Sequence, residues 1–140
     1  MGTVNIRWVD RTLMVGTDSN DNSIVIGRSP ENNEKFIGMK PSDLLLLSVA
    51  SCTAYDVLEI LIKQREPLID LKVYCSGEQL PDPPYTFTKI HLQYQVKGKV
   101  DIKKLERAIS LSEQKYCSVI STLQQSVPVS SEYQIIPKDI

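Results

Sequence analysis

Short alternating runs of apolar and polar residues open the chain. Val4-Asn5-Ile6-Arg7-Trp8 is one, Leu13-Met14-Val15 follows the turn-prone Asp10-Arg11, and Ser23-Ile24-Val25-Ile26-Gly27 follows the polar stretch at 18–22. Period-two alternation broken by turn residues predicts a three-stranded meander. Residues 28–40 carry Pro30 and Gly38 among several polar side chains and read as a loop. Lys40-Pro41-Ser42-Asp43 then has the chemistry of a helix start. Proline suits a first helical turn, serine can cap, and an acidic side chain suits the positive end of the dipole.

The helix is expected to run to about Gln64, ahead of Pro67. From Leu44 to Ile62 its apolar residues fall on nearly every face, and such a helix must be buried all round. A domain of this length has too much surface for its volume to wrap that segment alone, so a homodimer is expected. Two longer strands follow, Leu68 to Leu80 and Thr86 to Lys97, separated by Pro81-Asp82-Pro83-Pro84. The second puts Ile90, Leu92, Tyr94 and Val96 on one face, and Lys89, His91, Gln93 and Gln95 on the other. Gly98 ends it, and Asp101 can cap a second helix that continues past Cys117 or restarts there. Val127 to Ile136 reads as a closing strand, confined by Pro128 and Pro137 to an edge. Strands, helix, hairpin, helix and strand give an α+β order, in a single domain covering 1–140.

Composition narrows the function. Sixteen basic and seventeen acidic residues leave a formal charge of −1, which argues against nucleic acid or an anionic membrane as partner. The apolar helix carries Asp56 and Glu59, which argues against a membrane span. The amino end has no secretory pattern, so a cytoplasmic location is expected. Three scattered cysteines and one histidine offer neither a zinc cluster nor a disulfide scaffold, so no metal is expected.

Two thiols remain as candidate chemistry. Cys52 lies mid-helix, with Ser48 and Asp56 four positions either side and Glu59 a turn beyond. It reads either as a small buried hydrophobe or as part of a polar site. A nearby carboxylate would oppose its thiolate, so activation would need a cation or donors. If a helix restarts at Cys117, backbone N–H groups and the dipole favour its thiolate, with Lys115 at hand; otherwise Cys117 is a core residue. Cys75 follows strand alternation as a packed residue, and His91 reads as a surface histidine.

The two cysteine segments resemble a known family. Residues 41–58, Pro-Ser-Asp-Leu-Leu-Leu-Leu-Ser-Val-Ala-Ser-Cys-Thr-Ala-Tyr-Asp-Val-Leu, resemble the central helix of the OsmC/Ohr superfamily, the osmotically inducible and organic hydroperoxide resistance proteins. Glu113-Gln114-Lys115-Tyr116-Cys117-Ser118-Val119 is similar to its second cysteine motif, and Phe87-Thr88-Lys89-Ile90-His91-Leu92 to a strand of the OsmC-like branch. The resemblance implies a curved antiparallel sheet packed around a buried central helix, in an intertwined homodimer. It implies that Cys52 attacks a hydroperoxide and becomes a sulfenic acid, that Cys117 resolves it to a disulfide, and that a dithiol, lipoyl-type in several members, restores both. No cofactor is implied.

Peroxidase members place a Glu ten positions before the first cysteine and pair it with an Arg. Position 42 here is Ser, and Asp43 stands one place late. Asp43 and Asp56 are the candidate supporting carboxylates, and Arg11 or Arg28 the candidate cation. Two readings follow. One is a thiol-dependent peroxidase acting on organic hydroperoxides, and hydrogen peroxide as a further substrate, in oxidative or osmotic stress defence. The other is a non-catalytic stress or ligand-binding dimer whose thiols are structurally inert.

Overall fold

The structure, a computed structural model, describes residues 2–27 and 38–136. The loop expected at 28–40 therefore lies largely outside the described residues. Contacts divide the chain into two compact units, Met1–Leu45 and Leu46–Ile140.

The first unit contains the expected meander. Strands β1 (Asn5–Asp10), β2 (Leu13–Thr17) and β3 (Ser23–Ile26) pair antiparallel in chain order. Arg11 makes the β1–β2 turn with φ of 50°, and its carbonyl accepts a 2.8 Å bond from the Trp8 indole N–H. Asp18 ties the β2–β3 turn by accepting from the backbone N–H groups of Asn20 and Asn22 at 2.8 and 2.9 Å. Those bonds hold its carboxyl below the usual aspartate range.

Helix α1 spans Pro41–Lys63, so proline occupies the first helical position and Ser42 lies inside the first turn instead of capping it. From Leu46 onward α1 belongs to the second unit. There strand β4 (Leu68–Gln79) pairs antiparallel with β5 (Phe87–Gly98). Gly98 ends β5 with φ of +124°, a conformation that disfavours any side chain. Asp101 caps helix α2 (Ile102–Leu111), its carboxylate accepting from the Lys104 N–H at 3.0 Å. A π-helical turn, Ser112–Tyr116, follows, and helix α3 (Ser118–Leu123) restarts after Cys117. Strand β6 (Val129–Ile136) then takes the edge beside β5.

The class is α+β, as the element order implies, but the strands do not make one antiparallel sheet. Among the described residues they form two three-stranded sheets, and β6 runs parallel to β5. The reason is the connection. A hairpin reverses direction, whereas the helical crossover through α2 and α3 returns the chain to start β6 in the same direction.

Side-chain alternation on β5 builds the core. Ile90, Leu92, Tyr94 and Val96 are all fully buried, joined by Val49, Val57 and Leu61 of α1, Leu105 and Ala108 of α2, and Ile120 of α3. The buried positions of α1, namely Val49, Ala50, Thr53, Val57 and Leu61, make a single stripe. The expectation of burial on every face therefore fails for one chain: Tyr55 is 65% and Ile62 61% exposed, and Leu47 and Leu58 are exposed as well. By length and composition α1 could cross a bilayer. Its inner stripe is part of the core and carries a hydroxyl with a protein partner.

Candidate functional site

Two interruptions of regular structure position the second thiol. In the π-helical turn Cys117 N–H reaches back five residues to the Ser112 carbonyl, at 2.8 Å, which adds a residue to the turn. Cys117 then leaves helical geometry, with φ of −76° and ψ of 105°, and becomes the N-cap of α3. Its sulfur accepts a 3.4 Å hydrogen bond from the Ile120 N–H.

Cys117 is 2% exposed, and all three cysteines are free thiols. Although 65 positions separate them, Cys52 lies near enough to Cys117 to disfavour its thiolate. Burial above all, with the neighbouring Cys52 adding to it, pushes the Cys117 thiol up to about 12 against the opposing N–H groups of Ile120 and Val119. Of the two readings of Cys117, a thiolate at a helix start or a core residue, burial favours the second. Desolvation outweighs two backbone donors, and Cys117 keeps its proton. Lys115 does not assist, its ammonium lying over the Tyr116 ring at 5.4 Å from the centroid.

Around the thiols runs a chain of polar side chains. Ser112 Oγ donates to Asp56 Oδ2 at 2.8 Å and lies 3.0 Å from Thr53 Oγ1. Thr53 Oγ1 is 2.6 Å from the Tyr94 hydroxyl. Tyr94 donates to Glu113 Oε2 at 3.2 Å, and Ser131 donates to both Glu113 oxygens at 2.8 and 2.9 Å. Burial holds the Tyr94 hydroxyl far above its ordinary range, and the neighbouring Glu113 adds to that, so Tyr94 keeps its proton throughout the accessible pH range.

Of the sequence candidates, Cys52, Asp56 and Cys117 belong to this cluster of the second unit. Glu59 points to solvent, outside the network. Asp43 is in the first turn of α1 and Arg11 in the β1–β2 turn, and both belong to the first unit. Arg28 lies outside the described residues. Thr53, Tyr94, Ser112 and Ser131 were not singled out from the sequence. Thr53 and Tyr94 occupy core positions where the pattern asks only for bulk, and their hydroxyls were the available signal. Among the described residues no cluster could hold a metal ion. Cys75 is half-buried on β4, and burial alone pushes it up to about 11. His91 bonds Ser130 at 2.7 Å and Glu132 at 3.1 Å on the outer face of the sheet.

These thiol shifts have a consequence for pH. Both are raised in the folded protein above the ordinary value of 9.0, so the stability tied to their neutral forms is complete below pH 9.0 and is lost as pH climbs towards about 11 and 12. Denaturation midpoints measured across that window should fall steadily. At pH 8 the native protein should leave Cys117 unmodified by iodoacetamide, and unfolding should expose it to rapid alkylation.

Comparison with known proteins agrees with the fold. YhfA of Escherichia coli K12 is 29% identical over 133 residues, spanning 94% of this chain and 96% of its own. A hypothetical protein from Aquifex aeolicus VF5 superposes with a TM-score of 0.86 at 28% identity, covering 99% of this chain and 98% of that one. The organic hydroperoxide resistance protein OhrB of Bacillus subtilis superposes with a TM-score of 0.62 at 16% identity, covering 96% and 98%. The sequence model of the OsmC-like proteins matches residues 31–132, and the chain belongs to the OsmC-like protein family.

Proposed function

We propose that the protein is a thiol-dependent peroxidase that reduces organic hydroperoxides, with Cys52 attacking and Cys117 resolving. The observation that carries this reading is the approach of two free thiols from distant segments of the second unit, Cys117 buried and Cys52 partly exposed. The name of the Bacillus subtilis relative, an organic hydroperoxide resistance protein, supports the substrate class.

Cys52 thiolate attacks one peroxide oxygen, the O–O bond breaks, and the alcohol leaves with a proton. The Cys52 sulfenic acid then meets Cys117. An S–S bond forms, the S–O bond breaks, and the hydroxyl departs as water with the Cys117 proton. A dithiol reductant of the lipoyl type supplies two electrons and two protons to restore both thiols, in a reducing compartment such as the cytoplasm. Asp56 and the Ser112–Thr53 hydroxyls lie in the same unit as this pair, and Arg11 and Asp43 are proposed as further supporting residues. The exposed apolar face of α1, with Leu47, Tyr55, Leu58 and Ile62, supports a homodimer in which a second copy covers it.

Thiol titration tests the reading. One equivalent of an alkyl hydroperoxide should lower the free thiols from three to one. Retention of all three would favour a non-catalytic dimer with inert thiols.

A further inference from the structure

The core stripe of α2 runs on into the π-helical turn. Leu105, Ala108 and Ile109 are buried, and Ser112 comes next on the same face, at the spacing of three and four that marks a helix interior. That pattern calls for an apolar residue. Serine stands there instead, and both Ser112 and Thr53 of α1 are fully buried. A buried hydroxyl costs stability unless it has partners. Ser112 Oγ has two, both on α1: Asp56 Oδ2 at 2.8 Å and Thr53 Oγ1 at 3.0 Å. The Ser112 carbonyl meanwhile accepts from the Cys117 N–H at 2.8 Å.

We propose that Ser112 is a positioning residue for disulfide closure, holding the segment of Cys117 against the turn of α1 that carries Cys52. Thr53 directly follows Cys52, and Asp56 lies four positions on from it, on the same helical face. One residue therefore grips both segments, its side chain on α1 and its carbonyl on the backbone of Cys117. The inference rests on the two-thiol reading and adds the group that sets how often the sulfurs meet. Holding two reacting groups in place raises their effective concentration, so closure is fast only while the grip is intact.

Ser112→Ala separates the two halves of the grip. It keeps the backbone carbonyl that receives Cys117, removes the hydroxyl that reaches α1, and leaves a small apolar side chain that suits the core stripe. Thr53 retains its 2.6 Å contact with the Tyr94 hydroxyl, so α1 stays tied to β5.

An aromatic disulfide, dithiobis(nitrobenzoic acid), reads closure without any peroxide. In a Cys75→Ser background the Cys52 thiolate attacks the reagent, its S–S bond breaks, and one thionitrobenzoate leaves. Cys117 then gives its proton to solvent, attacks the Cys52 sulfur and displaces a second thionitrobenzoate as the protein disulfide forms. The first phase should depend on reagent concentration and the second should not. Ser112→Ala should slow the second phase roughly tenfold, the weight of one net hydrogen bond, and leave the first unchanged. Thr53→Val should also slow the second phase, whereas Thr53→Ser, which keeps the hydroxyl, should close at the native rate; this pair keeps the test decisive if Ser112→Ala fails to fold. A second phase at the native rate in folded Ser112→Ala or Thr53→Val, or an equal slowing of both phases, overturns the proposal. Two-phase closure in a protein that loses no thiols to a hydroperoxide would instead overturn the peroxidase reading alone.

Discussion

Cys52→Ser is expected to abolish hydroperoxide consumption, lowering the rate by at least about 10³-fold, the scale seen when a covalent nucleophile is removed. A serine hydroxyl keeps its proton far more firmly than a thiol, and oxygen does not take up the peroxide oxygen as sulfur does. Cys117→Ser should behave differently. Its first turnover survives, because the attacking sulfur is intact, but the sulfenic acid has no partner and persists long enough to be trapped by dimedone. Cys75→Ser should leave consumption unchanged, since Cys75 sits on β4 in a packed position and has no described contact with the other sulfurs. Peroxide consumption followed in the three variants checks all of this. Equal loss in the Cys52 and Cys75 variants would contradict the assignment.

The second large effect is on stability. Leu61 is fully buried at the foot of the α1 stripe, and Leu61→Ala should destabilise the fold by about 2–5 kcal/mol, through lost transfer energy and the cavity left behind. For a chain of this length that corresponds to a fall in Tm of roughly 10 °C. Ile62, the next residue, is 61% exposed in the single chain. In a monomer Ile62→Ala should change stability by no more than about 0.5 kcal/mol. If a second copy covers this face, the same substitution lowers Tm in a concentration-dependent way, and sedimentation reports dissociation. Thermal melts of both variants at two protein concentrations separate the cases.

The elements were legible where one physical rule dominates. The alternation of Ile90, Leu92, Tyr94 and Val96 marks β5 because a half-buried strand must obey period two, and Asp101 marks the start of α2 because the first helical N–H groups need an acceptor. The parallel pairing of β6 was not legible, since nothing in Val129–Ile136 distinguishes the two directions; the crossover decides it. The even apolarity of α1 announces more burial than the chain provides. The inward stripe includes Thr53, whose hydroxyl meets Tyr94 across the core.

The site was legible only in its sulfurs. Cys52, Asp56 and Cys117 stood out by residue type, whereas the π-helical turn that brings Ser112 and Glu113 to them has no periodicity of its own. Cys117 also shows how local reasoning overreaches. A helix N-cap favours an anion, but that preference is weaker than the desolvation of a thiol 2% exposed.

Peptide mapping by mass spectrometry after one equivalent of an alkyl hydroperoxide tests the central claim most directly. The account predicts one cross-linked species joining the peptides of Cys52 and Cys117, with Cys75 still alkylatable. Unlinked Cys52 and Cys117 after the peroxide has been consumed, or a link that runs through Cys75, would contradict it.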